Sequence, residues 1–434
     1  MPAVYVNIDR KIMNQNWIDE TIQTSLKKTQ EELKHTNPVE SLLLQTIIDK
    51  CYELASNDKT INIGHLLASG FDLLVSADYY SSTNHKGWFY CREDVPRLFY
   101  NFTNCCPRHA LKNQFYFNPS NKLGSGKIGK STSRLLRRFL SSLLTRNQRP
   151  EQVLSGSEPV DLILVNAKEH KVFFAEIKAS PLVTLPISST SQRLTAERNG
   201  TLVEADHIVT DNTAFFQHDL SLFVPDKGTT GAWRESYFPL GQRADINDEF
   251  WAFRGIIQLL QKEPTFLRTY FTFWNEAMAA YHPKHCDSIY WLSNSCGAPS
   301  PRPDNWPKAR KGAGVGFETV SDSKTSVGMD RTDDIKKGIY QVLKLGSEGK
   351  PLQSEWDFKV GMVSNIHPAR HYLEYLESIH DLIWTIDETG KVKVARDLPA
   401  DQNLYNLFDA IITLTNSFYR DDWLATTFAF LESK

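Results

Sequence analysis

An aspartate at position 161 and the run Glu176-Ile177-Lys178 stand at the outer ends of two short apolar stretches, 162–165 and 171–175. Both stretches are partly β-branched and flank the five residues 166–170, the pattern of a β-hairpin. Along the second stretch Val172, Phe174, Glu176 and Lys178 share one face, because strand side chains alternate with period two. Closing the hairpin across 166–170 puts Asp161 opposite Phe174 or Glu176, with Cβ atoms about 5 Å apart. Two carboxylates and an ammonium then meet beside a hydrophobic strand, which is costly unless the charges are matched. A divalent metal resolves the conflict, since carboxylate oxygens suit Mg²⁺, which keeps waters and binds substrate phosphate. A lysine beside it can hold or help deprotonate an attacking water while charge on the phosphate oxygens is stabilised. The chemistry within reach of these residue types is hydrolysis of a phosphodiester. The competing reading is an edge hairpin whose Glu176 and Lys178 merely face solvent.

Asp161, followed fifteen positions later by Glu176-Ile177-Lys178 at the end of an apolar strand, resembles the signature of the PD-(D/E)xK nucleases. Within that superfamily the chain is most similar to a type II restriction endonuclease. Pro159 stands two residues before Asp161, with Val160 between them, and not directly before it. The resemblance implies that Asp161 and Glu176 ligate Mg²⁺, that the Ile177 carbonyl adds a ligand, and that Lys178 serves the nucleophile. It also implies double-stranded DNA cut at a short sequence by a homodimer. The fold it implies is α/β: a restriction-endonuclease-like central mixed sheet flanked by helices, with a helical N-terminal region and a large insertion.

The chain as a whole is compatible with that expectation. Its 434 residues suit two or three structural units, and 41% hydrophobic content describes an ordinary globular protein. Residues 1–10 lack a basic-then-apolar signal pattern, and no apolar run approaches a membrane span. Six cysteines in so long a chain do not resemble a disulfide framework, so a cytoplasmic protein is expected.

The formal net charge of −2 hides an uneven distribution. Residues 95–150 contain no Asp or Glu and eleven basic residues, a single-sign stretch of the kind that binds a phosphate backbone. Its end predicts a helix over 131–145, with Ser131 or Thr132 as N-cap and Leu135, Leu136, Phe139, Leu140, Leu143 and Leu144 as the buried stripe. Lys127, Lys130, Arg134, Arg137 and Arg138, with Lys324 further on, are the expected DNA-binding residues. The alternative is that these cations partner acids elsewhere in the fold. The same stretch carries Gly124-Ser-Gly-Lys-Ile-Gly129-Lys130-Ser131, a full match to the P-loop pattern. A turn, 118–122, precedes it in place of a buried strand, so no nucleotide cofactor is expected. The glycines would instead let backbone approach DNA phosphate at a helix N-terminus.

The remaining elements must position this centre. Helical periodicity marks 17–26 and 43–54, separated at Asn37-Pro38, and a third apolar segment, 63–75, is interrupted by Gly64 and Gly70. A packing or dimerisation layer is the expected role of residues 1–94. Residues 95–181 would form the first part of the nuclease core, with a weak strand near Gln152-Val-Leu154. Residues 182–320 would be an insertion carrying target recognition, with core-forming aromatic helices at 249–260 and 266–281 and a Pro/Gly-rich basic loop at 297–316 that could thread along DNA. Residues 321–434 would complete the core: a helix over 333–345 capped by Thr332 and stopped by Gly346, a strand over 358–364, a helix over 368–379, and a helix carrying Leu404, Leu407, Phe408, Ile411 and Ile412. Two Cys/His groupings, Cys91/Cys105/Cys106/His109 and His282/His285/Cys286/Cys296, lack paired Cys-x₂₋₄-Cys knuckles, so zinc stays open. The leading expectation is a Mg²⁺-dependent, sequence-specific endonuclease. Its rivals are a structure-specific or repair nuclease using the same residues, a non-catalytic DNA-binding protein, and a P-loop NTPase.

Overall fold

Three helices open the described part of the chain: α1 (Trp17–Lys34), α2 (Pro38–Asn57) and α3 (Ile63–Ser82). The computed structural model describes residues 16–82, 88–91, 96–100, 106–114, 125–189, 195–198, 201–204, 208–209, 218–243, 245, 247–294, 301, 304, 327–352, 354–369, 371–386, 392–394 and 403–432. Asn37 caps α2 by accepting the Val39 N–H at 2.8 Å, and Pro38 sits in the first turn, where its missing N–H costs nothing. Gly64 and Gly70 do not interrupt α3. Added side chains there would overlap the Leu414 carbonyl and come within 2.6 Å of Ile47 Cγ2, so the glycines allow close helix packing.

Next in the chain come β1 (Trp88–Tyr90), β2 (Arg97–Tyr100), α4 (Pro107–Leu111), α5 (Ser125–Arg146), β3 (Gln152–Ser155), β4 (Leu162–Asn166) and β5 (Lys171–Ile177). The inserted region supplies β6 (Ile187–Ser189), β7 (Thr195–Arg198), β8 (Thr201–Glu204), β9 (Ile208–Val209), β10 (Leu220–Lys227), β11 (Trp233–Gly241), α6 (Trp251–Lys262) and α7 (Phe266–Tyr281). The C-terminal third supplies α8 (Thr332–Gly349), β12 (Asp357–Ser364), β13 (Ile383–Ile386), β14 (Val392–Lys393), β15 (Tyr405–Asn406), β16 (Ala410–Thr413), β17 (Phe418–Tyr419) and α9 (Asp422–Phe428). The result is a mixed α/β fold.

The sheet that carries the hairpin has the order β17-β16-β12-β5-β4-β3. Strands β3, β4 and β5 form an antiparallel meander, while β5, β12 and β16 run parallel. Each face feeds a different core. Leu162, Leu164, Phe173 and Ala175 pack with Leu135, Leu136 and Phe139 of α5. Ile163, Val165, Val172 and Phe174 pack with Ile335 and Val342 of α8 and Ile18 and Ile22 of α1. Period-two alternation thus sends neighbouring residues to opposite helical layers. A buried ion pair, Lys350 to Asp409 at 2.6 Å, ties the end of α8 to the sheet, where Asp409 also accepts the Val360 N–H.

A second sheet, in the order β11-β10-β6-β2-β1-β9, is antiparallel throughout. Its strands β1 and β2 precede α5 in the chain, so the inserted region recruits residues on both sides of position 95. Helices α6 and α7 bury Ile256, Tyr270, Trp274 and Tyr281, as their aromatic stripes predict. Among the described residues no helix is long and apolar enough to cross a membrane.

Four boundaries depart from expectation. Helix α5 begins at Ser125, not at Ser131 or Thr132, so Gly126, Gly129, Lys130 and Ser131 lie inside it and form no phosphate-cradling loop; Gly124 lies outside the described residues. Helix α8 is capped at Arg331 and runs through Gly346 to Gly349, with Gly346 packed beside Val360 of β12. Its buried side includes Ile335, Val342 and the fully buried Leu345, while Leu343 is 45% exposed. The helix expected over 368–379 is reduced to a π-helical turn, Tyr372–Leu376. The helix expected around Leu404–Ile412 is instead β15 and β16. Ile411 faces one core and Ile412 the other, and a strand buried on both faces has no period-two signature to betray it.

Candidate active site

The hairpin register settles where Asp161 stands. Leu162 pairs with Ala175, and the Asp161 N–H donates to the Ala175 carbonyl at 3.1 Å, which places Asp161 beside Glu176 and leaves Phe174 opposite Ile163. The aspartate is delivered by a tight loop after β3, in which Gly156 N–H donates to the Asp161 carbonyl and Val160 N–H to the Ser157 carbonyl. A side chain at Gly156 would overlap the Val160 carbonyl oxygen, so only glycine lets this loop close. Helix α1 braces it from outside: Lys28 donates to the Gly156 carbonyl, and the Ser155 N–H donates to Thr29 Oγ1 at 2.8 Å.

One oxygen of Asp161 accepts the Ile177 N–H at 3.0 Å. Glu176 lies near enough to share a hydrogen bond with Asp161, and Lys178 donates to Glu176 Oε1. The three side chains therefore meet at the end of β5. This strand is central, flanked by β4 and β12, and Glu176 is 7% exposed. The solvent-facing edge hairpin is thereby excluded. Burial, reinforced by the Asp161 charge, pushes the Glu176 carboxyl up to about 7 despite the opposing pull of Lys178. A carboxylate pair held this way gains from a cation. Ile177 is buried yet lines the cleft, as a backbone contribution from its carbonyl requires.

The cleft that opens over these residues has a volume of about 1430 Å³. One wall is the first half of α5, another is the loop 156–161, and a third is the start of α8. Two of the expected DNA-binding residues, Lys127 and Lys130, are exposed on the cleft wall. The arginines differ. Arg134 bonds Glu40 at 2.6 Å and Asp78 at 3.2 Å, and Arg138 pairs with Glu40 as well. Arg137 donates to the Asp161 carbonyl at 3.4 Å and lies 3.6 Å from Glu32. Acids on α1, α2 and α3 thus supply the negative charge that residues 95–150 lack, while Arg134 and Arg137 also line the cleft. Arg146 with Asp49 and Arg108 with Glu235 follow the same pattern. Lys324 lies outside the described residues, as do most of the loop 297–316 and Lys122.

Residues that the sequence did not single out complete the cleft. Asp334, Lys337 and Gln341 line it at helical spacing on α8, and Arg331 precedes them. Their polar face reaches the cleft only through the docking of α8 on the sheet, which no local pattern in the sequence marks. Behind them Asp330 is buried, accepting from the Tyr281 hydroxyl and from His371, whose backbone N–H lies 2.7 Å away. This network holds the segment 327–331 against Ser180, to whose carbonyl the Gly328 N–H donates. Of the two Cys/His groupings, Cys91, Cys106 and His109 gather within ligand distance of one another. His282, His285 and Cys286 form no such group among the described residues, while Cys105 and Cys296 lie outside them. Comparison with protein-family profiles, with curated proteins and with solved structures finds no match to this chain.

Proposed function

We propose that this protein is a Mg²⁺-dependent endonuclease that hydrolyses phosphodiester bonds in double-stranded DNA at a short recognition sequence. The observation that carries the reading is the meeting of Asp161, Glu176 and Lys178 at the end of a buried central strand, under a cleft walled by lysines. The sequence of helix, three antiparallel strands, helix and parallel strand (α5, β3, β4, β5, α8, β12) supports a restriction-endonuclease-like core. The donor set fits a hard cation, since two carboxylates meet at the base of the cleft and one of them is pushed up to about 7 by burial and its neighbour. Asp161 and Glu176, with the Ile177 carbonyl, would hold Mg²⁺, which when bound supplies neutralisation of the charge developing on the phosphate oxygens.

The chain's own groups do the rest. Glu176 holds the Lys178 ammonium at the strand end, so that this group meets a water placed in line with the scissile bond. Lys178 orients that water and steadies the hydroxide it becomes; the water's proton passes to solvent as the oxygen adds to phosphorus, and the P–O bond to the leaving deoxyribose oxygen breaks, that oxygen taking a proton from solvent. Arg137 steadies Asp161 through its carbonyl, and Lys127, Lys130 and Lys337 offer charge to flanking phosphates. Base contacts fall to the inserted region, and two copies on a two-fold site would cut both strands.

Digesting a mixed set of plasmids with Mg²⁺ and with chelator tests the reading. Discrete, Mg²⁺-dependent fragments are expected. Cuts confined to forks, flaps or nicks would reassign the site to a structure-specific nuclease, and intact DNA across the set would sink sequence-specific cleavage.

A further inference from the structure

Away from the cleft, three side chains that phosphodiester hydrolysis does not use converge on one point. Cys91 follows β1 and is locked against β2 by its N–H, which donates to the Leu98 carbonyl at 2.8 Å. Cys106 stands immediately before α4, and His109 lies within that helix. The two sulfurs and one imidazole nitrogen all lie within 4.8 Å of one another, and all three residues are buried. Cys91 Sγ stands 3.8 Å from His109 Nδ1.

The Cys91–His109 separation of 3.8 Å matches a known coordination polyhedron, and no other separation in the cluster exceeds 4.8 Å. Zinc takes thiolate at ~2.3 Å and imidazole at ~2.0–2.1 Å in tetrahedral geometry, so adjacent donors sit roughly 3.6–3.8 Å apart. Buried cysteine is often just a small hydrophobe, and Leu98 and Phe223 do pack here. Apolar packing, however, does not require an imidazole nitrogen and two sulfurs to point at one centre. The donor types also separate this point from the cleft, because thiolate and imidazole select zinc whereas the carboxylates of Asp161 and Glu176 suit Mg²⁺.

The surroundings show why a pin would matter. Helix α4 has five residues and β1 only three, lengths that cannot hold themselves. Arg108 already anchors one side of α4, donating to Glu235 at 3.0 Å and to the Tyr237 hydroxyl and Pro96 carbonyl at 2.7 Å each. We infer that Cys91, Cys106 and His109 form a structural zinc site that fastens α4 to the β1–β2 hairpin of the second sheet. The inference is independent of the nuclease reading and would survive its failure.

Two measurements decide it. The full chain, purified under reducing conditions without chelator, should carry about one zinc per molecule by elemental analysis, as a closed structural site does. Cys106→Ser and His109→Ala should bring zinc to background, and His109→Cys, which keeps a ligand, should restore it. Because the first two variants could fail to fold, Co²⁺ is exchanged into the unmodified protein as well. Thiolate-to-cobalt charge-transfer absorption with tetrahedral d–d bands is expected. Zinc-free protein that gives no such absorption with Co²⁺ would overturn the site, as would full zinc content in folded Cys106→Ser.

Discussion

Glu176 sits where two requirements collide. The end of a buried strand calls for an apolar side chain, yet a carboxylate is held there beside a second one, Asp161. Removing Glu176 or Lys178 by alanine substitution should lower cleavage at least about a hundredfold, the usual range for a group that handles the attacking water. DNA binding, measured by gel shift in the presence of Ca²⁺, should be kept, since the lysines of α5 lie on a different wall. Asp72 offers a test of another kind. It is fully buried, where it accepts N–H bonds from Leu182 at 2.8 Å, Val183 at 3.0 Å and the Trp274 indole at 2.7 Å. Burial pushes its carboxyl up to about 7 against those hydrogen bonds. An unfolded aspartate titrates near 3.9, so the stability Asp72 contributes is complete below ~3.9 and is lost as pH rises through about 7. Asp72→Asn keeps an acceptor for the same donors. Thermal midpoints of this variant should vary less with pH across that window than those of the parent, and parallel curves would remove Asp72 from the account.

At the scale of elements, α5 divides its cations between two tasks. Its exposed first turns carry Lys127 and Lys130 into the cleft, while Arg134 and Arg138 bind the buried Glu40 of α2. Removing both arginines strands a buried carboxylate, so Arg134→Ala/Arg138→Ala should cost about 3–5 kcal/mol in chemical denaturation. Neutralising Lys127 and Lys130 should leave stability nearly unchanged. It should instead flatten the dependence of DNA affinity on salt by up to about 0.9 per lost phosphate contact. An unchanged slope would take α5 out of the interface. The loop before Asp161 is equally exacting: Gly156→Ala forces the Val160 carbonyl aside and should destabilise by about 1–3 kcal/mol while blunting Mg²⁺-induced thermal stabilisation. The hairpin and α5 were legible in the sequence because each buries one stripe or ends in polar residues. Strand β16 was not, since Ile411 and Ile412 are both buried and fit a helical spacing as well as an extended one. The acid partners of α5 were also hidden, because Glu40 and Asp78 lie far from it in sequence and only the packing of α2 and α3 brings them near.

Across the whole molecule, the centre is assembled from distant parts of the chain. Strand β12 pairs in parallel with β5, placing Met362 beside Glu176, although β6 to β11 and α6 to α8 lie between them in sequence. Local pattern could name the two carboxylates and the lysine, because they share one hairpin. It could not name Lys337 or Arg331, which reach the cleft only through the docking of α8 on the sheet. The direct test compares Mg²⁺-dependent cleavage of one defined DNA by the parent and by Glu176→Gln, at protein concentrations that give equal DNA occupancy. Cutting by the parent and its loss in the variant, with occupancy maintained, is the predicted result. Equal cutting by both proteins would contradict a catalytic centre at Asp161, Glu176 and Lys178.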